Sequence, residues 1–149
     1  MERGVVFRLE ERRFALPLEA TARAVRAVEI TPLPQAAPGV PGVIDVHGKL
    51  MPVVDLRVRF GLPQRALVPG AQFLLVATAR RAVALWVDGV DGVATWHADD
   101  FVAAGPLLPG SEPLRGIARG AEGLILVHDL EALLVTVADT LPSAPVEHG

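Results

Sequence analysis

Short apolar runs, broken by glycine, proline and charged pairs, follow one another along the chain. Val5–Leu9 and Phe14–Leu18 are predicted strands joined by a charged turn, Glu10–Arg13. Pro17 in the second run requires an edge or non-bonded position, because proline has no N–H for the ladder. Thr21–Val28 fits either period and is assigned mostly to strand because its neighbours are strands. Thr31–Pro41 contains four prolines and is predicted to be an irregular connection. Val43–Val46 and Leu50–Val54 then form a hairpin around His47-Gly48-Lys49. Asp55 stands where an N-cap belongs, before a short helix Leu56–Phe60 that Gly61 and Pro63 end.

After a linker, Gln64–Ala71, the plan repeats. Phe73–Ala77 is a strand, Arg80-Arg81 echoes Arg12-Arg13, and Val83–Asp88 echoes Phe14–Glu19. Val93–Trp96 is a further strand, and Ala103–Pro113 is a second Gly/Pro-rich connection. Leu114–Ile117 and Leu124–Val127 are the last strands, Asp129 caps a closing helix through about Val137, and Pro142–Gly149 reads as a frayed tail. Gly42, Leu50, Val53, Asp55 and Leu56 match Gly116, Leu124, Val127, Asp129 and Leu130 at the same internal spacing. The pattern therefore predicts one 149-residue domain made of two half-repeats, about 5–63 and 72–137, with a flexible tail from 138 to 149. An internally duplicated all-β unit in so short a chain points to a doubled small barrel.

Composition narrows this reading. The chain is 51% apolar but only 5% aromatic, so its core is built of Val, Leu and Ala, which suits narrow barrels. No run reaches the roughly 18 apolar residues that a membrane span needs. The start, Met1-Glu-Arg-Gly4, passes straight into a strand pattern without the layout of a signal peptide, and cysteine is absent. A cytoplasmic location without membrane insertion is the expectation. A net charge of −3 and scattered arginines, with Lys49 the only lysine, argue against nucleic acid as partner.

Reactive chemistry is sparse. Serine occurs only at Ser111 and Ser143, and tyrosine and asparagine are missing. Ser111 lacks the G-x-S-x-G setting of a hydrolase nucleophile. His97-Ala-Asp99-Asp100 could be read as metal ligands, yet aspartates before an apolar residue more often begin a helical turn. His47, His97, His128 and His148 lie far apart in sequence. No phosphate-binding glycine motif occurs. Trp86 and Trp96 suit a core or subdomain interface, and the Arg57/Arg59 pair is most simply a solvated helix face. A non-catalytic binding module without cofactor or metal is the expectation, its loops carrying the contacts.

In order and spacing, several segments resemble the CheW-like domain family. They are Phe14–Leu18, Ile30-Thr-Pro-Leu-Pro34, Gly42-Val-Ile-x-Val-x-Gly48, Pro52-Val-Val-Asp-Leu-Arg57, Phe60-Gly61, Val83-x-Leu-x-Val-Asp88-x-Val90 and Leu124–Leu134. The resemblance implies two intertwined five-stranded SH3-like barrels with short helices and a C-terminal helix. It implies a free-standing adaptor that couples a chemoreceptor's cytoplasmic tip, or a similar helical bundle, to the regulatory domain of a CheA-type histidine kinase. The alternative is a diverged module that serves another signalling or motility complex without kinase coupling.

Departures from the family pattern mark the expected contact surface. The family's Asn-Leu-Arg-Gly turn is Asp45-Val46-His47-Gly48 here, Thr21-Ala22-Arg23 replaces Val-x-Glu, and Gly39 replaces an aromatic. The partner-binding residues implied are Arg23, Asp45, His47, Gly48 and Lys49. The family's opposite charges on one surface further suggest an exchange in which Arg23 faces Asp45 across adjacent strands.

Overall fold

The computed structural model describes residues 1–34, 38–63, 65–66, 70–104 and 114–138. The predicted linker and the second Gly/Pro-rich connection fall only partly within them, and Ser111, Ser143, His148 and the tail from Pro142 lie outside. The first half runs β1 (Glu2–Leu9), β2 (Arg12–Pro17), β3 (Thr21–Arg26), β4 (Thr31–Pro32), β5 (Gly42–Val46), β6 (Lys49–Asp55) and helix α1 (Leu56–Arg59). The second runs β7 (Gln72–Ala77), β8 (Ala82–Val87), β9 (Gly89–Trp96), β10 (Phe101–Ala103), β11 (Leu114–Gly120), β12 (Gly123–His128) and helix α2 (Leu130–Ala138). The all-β reading holds. Arg12 and Arg13 belong to β2 and not to the turn, and the proline-rich connection contributes the two-residue strand β4.

Two six-stranded sheets result, in the orders β10-β11-β12-β2-β1-β9 and β3-β7-β8-β6-β5-β4. Five strands of each are the expected barrel strands, and β4 or β10 adds a short sixth. The sheets belong to two compact units, one built on Met1–Thr21 with Asp88–Thr136 and the other on Ala22–Val87. The opening hairpin of each half-repeat has therefore left its own half. Hairpin β1–β2 joins the strands of the second half, and β7–β8 joins those of the first.

Register shows how closely the halves correspond. Ala84 on β8 pairs in parallel with Val53 on β6, and Ala15 on β2 pairs in parallel with Val127 on β12. These are the same positions of the repeat, and all four side chains are buried. Gly42 pairs with Val53 as Gly116 pairs with Val127. A Cβ on Gly42 would overlap the Thr31 carbonyl oxygen and lie 2.9 Å from Ile30 Cγ2. One on Gly116 would overlap the Phe101 ring and the Val102 carbonyl oxygen. Both glycines exist so that the short strand can press on its neighbour while Ile30 or Phe101 reaches the core.

Each unit has its own core. Ile44, Val53, Phe73, Leu75 and Ala84 fill one, with Trp86 packed against it, and Val6, Ala15, Trp96, Ala118, Ile125 and Val127 fill the other. Bulk is traded between the copies. The position of Phe73 is Gly4 in the other unit, where the Trp96 ring lies so close that a Cβ would meet it at 2.9 Å. Trp96 in turn stands opposite Glu2, where the other unit has Ala27 donating its N–H to Ala71 O at 2.9 Å. Close packing requires such a trade, because added volume at one position must be removed at its neighbour.

The two helix starts also correspond. Asp55 Oδ1 accepts the Arg57 N–H at 3.0 Å, and the Asp55 N–H donates to Gly39 O at 2.7 Å. Asp129 Oδ1 accepts the Ala132 N–H at 3.3 Å. Arg57 corrects the sequence reading: it is 3% exposed and is not part of a solvated face. Its Nη1 donates to Pro63 O at 3.0 Å while its own carbonyl accepts the Leu62 N–H at 2.7 Å, so it ties down the chain leaving α1. Arg59 is half-buried as well. A four-residue helix cannot turn two arginines to water once its short exit loop folds back over them.

Gly42→Ala and Gly116→Ala should each destabilise the protein by about 1–3 kcal/mol through overpacking, measured by urea denaturation; a change within error would show that β4 or β10 yields freely. Asp55→Ala should cost about 1–2 kcal/mol and Asp129→Ala less, since the Asp55 carboxylate is buried and the Asp129 one is not. Equal losses in thermal melts would contradict that ranking.

Candidate functional site

The β5–β6 hairpin is the most specified exposed feature of its unit. Val46 pairs with Lys49, which leaves a two-residue loop, His47-Gly48. Both residues have left-handed backbones, with φ of 52° and 85°. That is the geometry whose twist matches the flanking strands. Gly48 has nothing within 4 Å of a would-be Cβ, so its requirement is conformational and not one of space. Asp45 Oδ1 accepts the Gly48 N–H at 2.7 Å and locks the loop. Asp45, His47, Gly48 and Lys49 are all exposed, and Leu50 beside them is 45% exposed.

The structure brings four of the five expected residues together on this hairpin. Arg23 is exposed on β3, but β7, β8 and β6 lie between β3 and β5 in the sheet order. The expected facing of Arg23 and Asp45 across adjacent strands is thus not formed. The sequence pattern located both residues on strands, but strand order depends on the exchange of hairpins, and the Asp45 carboxylate already serves its own turn.

The sites considered for chemistry resolve otherwise. Ala98–Asp100 is one 3-10 turn following His97. Among the described residues no group of three or more His, Asp or Glu side chains is placed to share a metal ion. His128 is 4% exposed, its Nδ1 lies 3.1 Å from Leu126 O, and its ring packs against Phe14 at 5.3 Å between centroids. No helix of the described residues is long and apolar enough to cross a membrane.

Sequence reasoning missed two charged arrangements, both in the unit built on β1 and β2. An open cleft of about 400 Å³ is bounded by Glu2, Arg3, Leu18, Trp96 and Arg115. Glu2 accepts from Trp96 Nε1 at 3.1 Å and from Arg115 Nη2 at 3.4 Å. Its lining holds the carboxylates Glu2 and Glu19 but no histidine, serine or threonine, and Glu2 is engaged by Trp96 and Arg115. Elsewhere Arg8 Nε donates to Asp91 Oδ1 at 2.8 Å, and Arg13 lies between Asp91 at 3.7 Å and Glu122 at 3.8 Å. The partners are distant in sequence, and no local pattern announces them.

Comparison with known proteins places this geometry. The family model for the CheW-like domain matches residues 3–138. The chain is 26% identical over 141 residues to the chemotaxis protein CheW of Rhizobium meliloti, covering 93% of this chain and 86% of that one. It is 26% identical over 103 residues to the Bacillus subtilis CheW, covering 69% and 66% respectively. The crystal structure of the scaffolding protein TtCheW from Thermoanaerobacter tengcongensis superposes with a TM-score of 0.83 at 26% identity, over 94% of this chain and 97% of that one. With its two exchanged β units, capped helices and glycine-locked hairpin all inside the matched span, the chain belongs to the CheW-like domain family.

Proposed function

We propose that this chain is a non-catalytic adaptor of a bacterial chemosensory system, coupling a chemoreceptor or receptor-like helical bundle to the regulatory domain of a CheA-type histidine kinase. The observation that carries this reading is the family match from residue 3 to 138, joined to a likeness to a scaffolding protein over nearly the whole of both chains. Nearly all the described chain is thereby assigned to a fold whose relatives are chemotaxis proteins. Such an adaptor works by shape and charge, through shallow surfaces with a polar rim. Asp45, His47, Gly48 and Lys49 are proposed as one contact, on a hairpin that its own hydrogen bonds hold in shape, and Arg23 as a separate point of contact. A rigid loop loses little conformational freedom when a partner docks.

The alternative, a module of another signalling or motility complex without kinase coupling, is favoured by one feature. His47 stands where the family's turn carries arginine, which removes a permanent positive charge from the loop. Pull-downs with the kinase regulatory domain and with a receptor signalling tip separate the two. Capture of both supports the adaptor; capture of neither, with the protein folded by circular dichroism, rejects it in favour of the alternative.

His47 allows a sharper measurement. Its left-handed backbone tolerates Asn at little cost, whereas a β-branched residue there costs about 1–2 kcal/mol. His47→Asn should keep the melting temperature and weaken partner binding, while His47→Val should lower both. Unchanged affinity for His47→Asn would remove this turn from the interface.

A further inference from the structure

The cleft at Glu2 exists in one repeat and not in the other. All the residues that bound it belong to the unit built on Met1–Thr21 and Asp88–Thr136. In the other unit the matching strand ends meet through backbone alone, the Ala27 N–H donating to Ala71 O at 2.9 Å. Here Glu2 and Trp96 take those positions across β1 and β9. Trp96 is 4% exposed, and its side chain's one polar group, Nε1–H, donates to the Glu2 carboxylate at 3.1 Å. Arg115 Nη2 donates to the same carboxylate at 3.4 Å. A buried indole N–H needs an acceptor, and a guanidinium beside it favours an anionic one. Together the two donors make a carboxylate cradle, and Glu2 sits in it.

Glu2 holds that place weakly. Its side chain is 50% exposed and that of Arg115 41%, so water screens the ion pair. Beside the cradle the wall is apolar, formed by Pro17, Leu18 and Val127, the last only 1% exposed. The open volume of about 400 Å³ is that of a small-molecule site. At the rim Arg3 adds a positive charge that forms no ion pair among the described residues. Glu19, the opposing charge there, is exposed to water.

We propose that this cleft binds a small carboxylic acid with an apolar body. Its carboxylate takes the place of Glu2 on Trp96 Nε1 and Arg115, and its body lies along Pro17, Leu18 and Val127. Glu2 is then a built-in competitor that keeps the cradle filled when no acid is present. The inference does not rest on the adaptor reading, because neither kinase nor receptor takes part.

Titration of the full chain with 4-phenylbutyrate, followed by tryptophan fluorescence, tests it against the uncharged 4-phenylbutanamide. The acid should bind saturably with a Kd of about 1 mM, the range that a ligand of about a dozen non-hydrogen atoms reaches. The amide should bind at least about fivefold more weakly. Arg115→Gln should weaken acid binding about tenfold, to the level of the amide. Arg119→Gln, an exposed arginine further along the same strand, should leave it unchanged. Glu2→Ala should tighten it about two- to fivefold, the worth of an exposed ion pair. No saturable response up to about 10 mM, or equal binding of acid and amide, would overturn the proposal. So would parent-like affinity in Arg115→Gln, an equal loss in Arg119→Gln, or Glu2→Ala binding no tighter than the parent, each with the circular dichroism spectrum unchanged.

Discussion

Parallel pairing of β6 with β8, and of β12 with β2, is the constraint on which the rest of the structure depends. At each crossing a buried alanine faces a buried valine, Ala84 with Val53 and Ala15 with Val127. The small alanine lets the incoming hairpin approach, and the valine completes the core beneath it. Neither half-repeat can close its own sheet with its own opening hairpin, because that hairpin is committed to the other half. The core of each unit therefore draws on both halves, and contacts such as Trp96 with Glu2 span 94 residues. Loop closure of that length must precede the burial that rewards it, which makes for slow, highly non-local folding.

Within that frame the copies have diverged under different rules inside and outside. Inside, volume is conserved: Phe73 with Ala27 in one unit is answered by Gly4 with Trp96 in the other. A core position cannot change alone, because a cavity or an overlap of one side chain costs kilocalories. Outside, no such coupling operates, and the same hairpin carries Asp45 in one copy and Arg119 in the other. Surface charge is cheap to alter in stability and strong in its effect on partner choice.

Buried charge shows the opposite economy. Asp55 and Arg57 are both almost fully enclosed, and each is held by main-chain groups: Asp55 caps α1, and Arg57 gathers the residues after it. A buried charge survives only when its hydrogen bonds are made. The Asp-Leu-Arg segment that carries much of the family resemblance is therefore a structural clamp in this chain.

Much of this was legible from residues alone. Alternating apolar runs with turn residues fixed strand identity, Asp55 and Asp129 announced the helix starts, and Gly48 marked the hairpin loop, because each of these is a local decision of backbone sterics and hydrogen bonding. The duplication was visible too, as equal spacing of Gly, Leu, Val, Asp and Leu. Which hairpin joins which sheet was not visible, since two copies of one pattern offer the same edges and only packing chooses between them. That choice put three strands between Arg23 and Asp45 and assembled the Arg8, Arg13, Asp91 and Glu122 cluster, and the loop leaving α1 enclosed Arg57. Sequence by itself determined the elements and their repeat; tertiary structure decided the neighbours, because neighbours across an exchanged sheet are set by burial between distant segments.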